Sequence, residues 1–406
     1  MEPKILKGWS STAIHAGHQK GHNAAHITPI YATSTFVFDT ALEGSQRFAS
    51  LEKELIYSRY GNPTAKECEQ KIAALEAFGL TDGQGAPLQL KALLHASGQA
   101  AMSTLFFSNL QSGDAILSHH SLYGGTHEFL TKLLKDNGIK AIIADLRNLH
   151  EAEKLLAGHP EIRLVHIETP ANPTIQCVDL EALTKLAKHY GKTVSVDNTF
   201  ATPYLQQPFR FGVDFVFHST TKFLNGHGSA IGGVLIAKDI HFMKTKGWKW
   251  YTLLGGNANP FDAYLLAQGI KTLEIRMDRH CANAMTVANF LNSHQAIMQV
   301  NYTGLPHHPD FEVSKKQMKH PGPMLSFELK GGLEAGRRFI DRLQMCTRAV
   351  SLGTVDTLVS HPATMSHAGV PREDRLLFGI TDGLIRMSVG IENIEDIIAD
   401  LDQALS

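Results

Sequence analysis

Lys222 closes the run His218-Ser219-Thr220-Thr221-Lys222, in which three hydroxyls crowd beside one amine. The glycine-rich stretch Asn225–Gly233 (NGHGSAIGG) follows almost at once. An amine of this kind can condense with a carbonyl compound, and hydroxyls with exposed backbone N–H groups suit a phosphate. Asp197 stands directly after the apolar run Thr193–Val196. A carboxylate at the end of a buried strand is costly unless a cation or hydrogen-bond donors meet it. Ser97-Gly98-Gln99 follows Lys91–His95 and opens a helical pattern, so its small residues leave first-turn N–H groups available to an anion. Ser121-Leu122-Tyr123-Gly124-Gly125 follows Ala115–Ser118 and sets an aromatic ring in the equivalent position after a strand.

Taken singly, each feature has an ordinary explanation. A lone lysine is usually a solvated surface group, an Asp after a strand a helix cap, and Ser219-Thr220-Thr221 a turn. Gly226-x-Gly228 is continued by Gly232 and Gly233, which misses the G-x-G-x-x-G spacing, and it follows hydroxyls and a lysine; a dinucleotide loop is therefore rejected. One cofactor uses all the features together. Pyridoxal phosphate needs a lysine for a Schiff base, a carboxylate at its ring nitrogen, a ring to stack on and a cradle for its phosphate. The protonated ring is the electron sink, and an ion pair with a buried carboxylate keeps that proton on at neutral pH. Ser219 and Thr221 offer hydroxyls to the phosphate, and Gly98 and Gln99 offer N–H groups.

These groups require strands that end at a common edge. From Leu88 to Ile236 short apolar runs alternate with amphipathic helical patterns, with strands expected at Lys91–His95, Ala115–Ser118, Lys140–Ala144, Leu164–Ile167, Thr193–Val196, Asp214–Phe217 and Gly233–Ile236. That rhythm predicts a mostly parallel sheet with helices on both faces, where ligands sit at the carboxyl ends of the strands. Asn62-Pro63 caps and starts a helix with the apolar stripe Ala65, Cys68, Ile72, Leu75 and Phe78. Residues 1–60 show little periodicity and are read as an extended arm lying on something else, such as another subunit. Near Gly255–Pro260 the pattern breaks, so we expect a cofactor-binding domain over 61–259 and a smaller α/β domain over 260–406. In the latter a long helical region spans Phe261–Ser293, strands are expected at Leu325–Leu329 and Ile385–Val389, and a last helix begins at Asn393.

The chain has 406 residues, room for two to three domains, and 38 basic against 39 acidic side chains. That balance gives no electrostatic footprint for nucleic acid or an anionic membrane. No apolar stretch reaches the roughly 18 residues of a membrane helix, and the first residues carry no secretory h-region. Cys68, Cys177, Cys281 and Cys346 lie far apart without zinc spacing and read as free thiols of a cytoplasmic protein. The pairs His119-His120 and His307-His308 are expected to point apart, which makes them poor chelators, and no metal site is expected.

Nearly the whole chain resembles the Cys/Met-metabolism group of pyridoxal-phosphate enzymes, which includes cystathionine γ-synthase, the cystathionine lyases, methionine γ-lyase and the homoserine-ester sulfhydrylases. The resemblance rests on YSRYGNPT (Tyr57–Thr64), ASGQAAM (Ala96–Met102), SLYGGT (Ser121–Thr126), ETPANP (Glu168–Pro173) and VDNTFATPYLQQP (Val196–Pro208). It continues in HSTTKFLNGHG (His218–Gly228), SLG (Ser351–Gly353), HPATMSH (His361–His367) and GLIRMSVGIE (Gly383–Glu392). It implies the fold-type I (aspartate-aminotransferase-like) architecture and a homotetramer of two active dimers. By resemblance Lys222 is the Schiff-base lysine, Asp197 the ring-nitrogen partner and Tyr123 the stacking ring and a proton-transfer group. Tyr57 and Arg59 would reach the phosphate bound in a neighbouring subunit, which gives the arm a purpose. Arg386, helped by Asn172 and the backbone near Ser351, would clamp the substrate α-carboxylate.

The implied reaction is α,γ- or α,β-elimination on methionine- or cystathionine-type substrates, giving a 2-oxo acid, ammonia and a thiol. Gly269–Ala284 and the C-terminal motifs look most like methionine γ-lyase, and Val350, in place of an acidic residue, leans toward an apolar substrate tail. Gly125 stands where methionine γ-lyases usually carry cysteine, and Tyr251-Thr252-Leu253 replaces their Lys-Asp-Met stretch. Cystathionine β- or γ-lyase activity and γ-replacement on an activated homoserine therefore stay open.

Overall fold

The computed structural model describes residues 6–18, 24–50, 55–366, 368–369, 371–377 and 379–406. Residues 1–5, 19–23 and 51–54 of the N-terminal arm, and His367 at the end of the HPATMSH run, lie outside the described residues. The strands in chain order are β1 (Lys91–His95), β2 (Ala115–His119), β3 (Lys140–Ala144), β4 (Ile162–Glu168), β5 (Thr193–Asp197) and β6 (Phe215–Ser219). They continue with β7 (Gly233–Ala237), β8 (Ile297–Asn301), β9 (Met324–Leu329), β10 (Thr347–Arg348), β11 (Leu358–Ser360) and β12 (Leu384–Ser388). The helices that matter most for the site are α1 (Trp9–His15), α2 (Ala41–Phe48), α3 (Pro63–Glu76), α4 (Gly98–Asn109) and α5 (Gly124–Glu128).

Two compact units interleave along the chain, so neither is a single stretch like the domains drawn from sequence. The first comprises Met1–Asn109, Asp214–Asn225 and Ser229–Glu274. In it β7 pairs antiparallel with both β1 and β6, which sets Gly233 opposite His95 on one side and Ser219 on the other. Helix α3 starts as expected: the Asn62 side chain accepts the Thr64 N–H at 3.0 Å, and Pro63 occupies the first turn, where its missing N–H costs nothing. Cys68, Ile72 and Leu75 on its apolar stripe are fully buried.

The arm is not uniformly extended. Thr40 caps α2 by accepting the Glu43 N–H, and Glu43 returns a carboxylate oxygen to the Asp39 N–H, a local signal close to a capping box. Helix α1 has no side-chain cap. Its last turn is held instead by Lys71 of α3, whose buried ammonium donates to the carbonyls of Ala13 and Ile14, each at 2.9 Å. A cation at the C-terminal carbonyls of a helix is favoured by the dipole as well as by the bonds themselves.

The second unit comprises Leu110–Val213, Gly226–Gly228 and Ile275–Ser406. Four of its strands pair in parallel in the order β5-β4-β2-β3. In β4 only Arg163 is exposed. A strand buried on both faces carries no alternation, which is why sequence placed β4 correctly but cut its ends short. Intervening helices such as Leu180–His189, capped by Asp179 and burying Leu180, Leu183 and Ala187, make the crossover connections that parallel pairing requires. A smaller sheet in the order β10-β11-β12-β9-β8 is antiparallel except between β10 and β11. Its core includes Phe327, Phe339, Ile385, Met387 and Leu401, with Phe327 and Phe339 edge-on at 5.6 Å. The α/β class, with parallel strands between helices and a smaller C-terminal α/β layer, is as expected. The helical region after Pro260 is two helices, Pro260–Ile270 and Leu273–Ser293. Among the described residues no helix is long and apolar enough to cross a membrane.

One geometric expectation fails. His119 ends β2 and His120 follows it, yet their rings lie 4.5 Å apart and share Asp145 as a neighbour, because the chain leaves the strand between them. Among the described residues this is the one group with metal-ligand spacing. Asp145, however, is bridged by Arg147 through Nε at 3.0 Å and Nη2 at 2.8 Å, so a guanidinium already neutralises the carboxylate.

Replacing Lys71 by alanine should leave two buried carbonyls of α1 without donors. We expect Lys71→Ala to lower stability by about 1–3 kcal/mol, read as an earlier urea midpoint; an unchanged midpoint would show that α1 is not anchored this way.

Candidate active site

In the first unit, β6 delivers Ser219 to its carboxyl end and the chain turns at once. The Lys222 N–H donates to the Ser219 carbonyl at 3.3 Å, and the Asn225 N–H to that of Thr220 at 3.1 Å. Helix α4 begins beside this turn. Ser97 takes its Ala100 N–H on the side chain at 3.1 Å and its Ala101 N–H on the carbonyl at 3.1 Å. The Gly98 and Gln99 amides precede any intrahelical acceptor, so they are the donors the helix offers outward. Glycine at position 98 lets the two segments pack closely: a Cβ there would come within 3.1 Å of the Ser219 Cβ and 3.3 Å of its Oγ, so Ser219 would have to give way. The floor is tighter still, since a Cβ on Gly233 would stand 2.2 Å from the Ser97 carbonyl oxygen. The missing side chains bring two first-turn amides and a hydroxyl together around a space suited to a phosphate. Thr221 lies in the same turn and holds the glycine-rich segment. Its hydroxyl accepts the Gly232 N–H at 3.0 Å and faces the Gly232 carbonyl at 3.3 Å, which braces the glycine-rich segment.

Tyr57 and Arg59 also lie in this unit. Arg59 donates Nη1 to the Thr252 carbonyl at 2.8 Å and sits over the rings of Tyr60 at 4.7 Å and Tyr57 at 5.7 Å. Thr252 belongs to the Tyr251-Thr252-Leu253 stretch in which this sequence departs from methionine γ-lyase, so that departure is in contact with Arg59 through its backbone.

In the second unit the remaining predicted residues form a connected set. Asp197 ends β5, and its Oδ1 accepts the Thr199 N–H at 3.0 Å and the Thr199 hydroxyl. Directly opposite in register, at the end of β4, is Glu168. Glu168 is buried; one oxygen accepts the Tyr123 N–H at 2.7 Å and the other the Asn172 N–H at 2.9 Å. Burial above all, and then the charge of Asp197, push the Glu168 carboxyl up to about 8 against the pull of those two amides. The Asn172 Oδ1 accepts from Arg386 Nη1 at 3.1 Å. Nη2 of Arg386 donates to the carbonyls of Val350 at 2.8 Å and Ser351 at 3.0 Å. The Arg386 side chain is buried, its Nε has no protein partner, and burial lowers its pKa to about 10. A buried guanidinium with its Nε–H left over suits an anion such as a carboxylate. Tyr123 remains 54% exposed while its backbone is fixed, so its ring is presented rather than packed away. Sequence reasoning gave Glu168 no role, although it carries the same signal as Asp197, a carboxylate that closes a buried strand.

The residues from 10 to 406 match the family described as Cys/Met metabolism PLP-dependent enzyme. The chain is 46% identical to an L-methionine gamma-lyase of Fusobacterium nucleatum over 404 residues, covering 98% of each protein. To an L-methionine gamma-lyase of Porphyromonas gingivalis it is 44% identical, covering 100% of this chain and 98% of that one. The solved structure of cystathionine gamma synthase from Xanthomonas oryzae in complex with cystathionine superposes with a TM-score of 0.90 at 36% identity, covering 99% of this chain and 98% of that one. The fold and the site are thus those of a pyridoxal-phosphate enzyme. The chain belongs to the Cys/Met-metabolism family of PLP-dependent enzymes. The donor chemistry present suits that cofactor: the first-turn amides of α4 beside Ser219 suit a phosphate, and the Asp197 carboxylate at the end of β5 suits a protonated ring nitrogen.

Gly98→Ala should push the start of α4 away from Ser219 and weaken retention of pyridoxal phosphate by roughly tenfold, about 1.4 kcal/mol. Gly158→Ala, where nothing lies within 4 Å of the added Cβ, should leave retention unchanged. Equal cofactor affinity in the two variants, measured by fluorescence titration of the apoenzyme, would remove Gly98 from the cradle.

Proposed function

We propose that this protein is a carbon–sulfur lyase that eliminates the γ-substituent of methionine-type amino acids, releasing a 2-oxo acid, ammonia and a thiol. The observation that carries this reading is the Arg386 receptor. Its buried guanidinium is braced by Asn172 and two carbonyls with Nε left over, while the Val350 side chain, on the same braced segment, stands 59% exposed. A substrate carboxylate suits the first and an apolar tail the second. The second reading is γ-replacement on an activated homoserine, or elimination from cystathionine, and the likeness to a cystathionine gamma synthase supports keeping it.

Bound pyridoxal phosphate supplies an electrophilic carbon and a cationic ring that accepts the electron pair left when the substrate Cα–H bond breaks. Lys222 is the residue we assign to hold the cofactor covalently and to take the Cα proton on Nζ. Asp197 keeps the ring nitrogen protonated, and Thr199 steadies the Asp197 oxygen from the other side. Tyr123 stacks on the ring and delivers a proton from its hydroxyl to the departing sulfur. The amides of Gly98 and Gln99 with the Ser219 hydroxyl hold the phosphate, and Thr221 stabilises the loop that carries them. Arg386 and Asn172 orient the substrate carboxylate, with the Ser351 backbone as the brace. Tyr57 and Arg59 are assigned to the phosphate of a neighbouring subunit, in a homotetramer of two active dimers working in the cytoplasm.

Incubating the holoenzyme with methionine, L,L-cystathionine and O-acetylhomoserine plus cysteine separates the readings. We expect 2-oxobutanoate and methanethiol from methionine; thioether product without ammonia would favour replacement, and pyruvate from cystathionine β-elimination. Arg386→Lys keeps the charge but loses the fork and should raise KM for the amino acid roughly ten- to hundredfold with a smaller change in kcat. An unchanged KM would place the carboxylate elsewhere.

A further inference from the structure

We infer that Glu168 is a positioning residue for the reaction, its two carboxylate oxygens setting the backbone of Tyr123 and of Asn172 at the same time. This rests on the roles proposed above for those two side chains. The geometry is self-contained. Glu168 is the last residue of β4 and is 4% exposed, so its side chain has no recourse to water. Each oxygen is taken by one amide, Oε2 by Tyr123 at 2.7 Å and Oε1 by Asn172 at 2.9 Å.

Those amides belong to the two residues whose side chains the proposed reaction uses. Tyr123 stands at the N-cap of α5 with extended backbone angles of −55° and 135° and makes no side-chain cap bond, and its ring projects outward. Its carbonyl is already spent on the Thr126 and His127 N–H groups, at 2.9 Å and 3.0 Å, so the Glu168 bond is what sets the N–H side of the residue. Asn172 carries its Oδ1 to Arg386 at 3.1 Å, and a tilt of its backbone would turn that oxygen away from the guanidinium. One buried carboxylate therefore links the ring assigned to the leaving group with the clamp assigned to the substrate carboxylate.

For this purpose the residue needs two acceptor oxygens, one for each converging N–H donor. Glutamine supplies one oxygen and turns an NH2 group against the other amide. Aspartate is a methylene shorter and cannot span both donors with the same backbone.

The test is Glu168→Gln in the holoenzyme, with Glu168→Asp as its partner. Both should bind pyridoxal phosphate with the visible absorbance of the lysine-linked cofactor, because Lys222, Gly98 and Ser219 are untouched. We expect the visible circular dichroism of the bound cofactor to change, reporting an altered ring environment. kcat/KM should fall roughly ten- to hundredfold, with KM raised and kcat lowered together, and less in the aspartate variant. Wild-type dichroism, KM and kcat in Glu168→Gln would overturn the inference, and so would failure of both variants to fold, since Glu168 would then be a structural requirement. Failure of the underlying reading looks different: the wild-type protein itself would bind no cofactor or turn over no sulfur amino acid.

Discussion

Two carboxylates stand side by side at the ends of β4 and β5, and the rest of the second unit's site is organised around how that arrangement is made tolerable. Like charges this close disfavour joint ionisation, and burial adds to the penalty. The structure meets the cost with directed donors: two backbone amides on Glu168, and the Thr199 amide and hydroxyl on Asp197. In the proposed reading, a protonated cofactor ring would add positive charge beside Asp197 and so favour its ionised form.

The first unit solves a complementary problem by subtraction. A phosphate cradle needs amides that nothing else has claimed, and a helix start provides them only if its neighbours come no closer than the ligand allows. Gly233 lets the start of β7 meet Ser97 at a distance that a methyl group would forbid, and Gly98 and Gly232 keep the approaches to Ser219 and Thr220 close. Thr221 shows how such a loop is stiffened, with its hydroxyl spent on the Gly232 peptide. In the second unit the Val350 and Ser351 carbonyls brace Arg386, the residue proposed to receive the substrate carboxylate, and Val350 itself stands exposed on that segment.

Much of this was legible in the sequence because the chemistry sits next to strands. Lys222, Asp197, Tyr123 and Gly98 each follow an apolar run, and a strand end is the easiest feature to find by eye. Parallel strands such as β4 were located but not delimited, since burial on both faces removes the period-two signal. What stayed hidden depended on contacts distant in sequence. Helix α1 needs the ammonium of Lys71, and the closeness of His119 to His120 depends on how the chain leaves β2. Helix α2 is a different case: Thr40 and Glu43 announced it locally, and the polar composition of the arm obscured the signal. Glu168 was visible as a residue and silent as a role, because its two partners are brought to it only by the folded backbone.

The central claim is that one particular amine, that of Lys222, carries the cofactor. Reduction of the holoenzyme with borohydride, followed by proteolysis and mass spectrometry of the peptides, tests it directly. The account predicts a phosphopyridoxyl group fixed to Lys222 in stoichiometric yield. A label on any other lysine, or no stable label in a protein that retains pyridoxal phosphate, would contradict it.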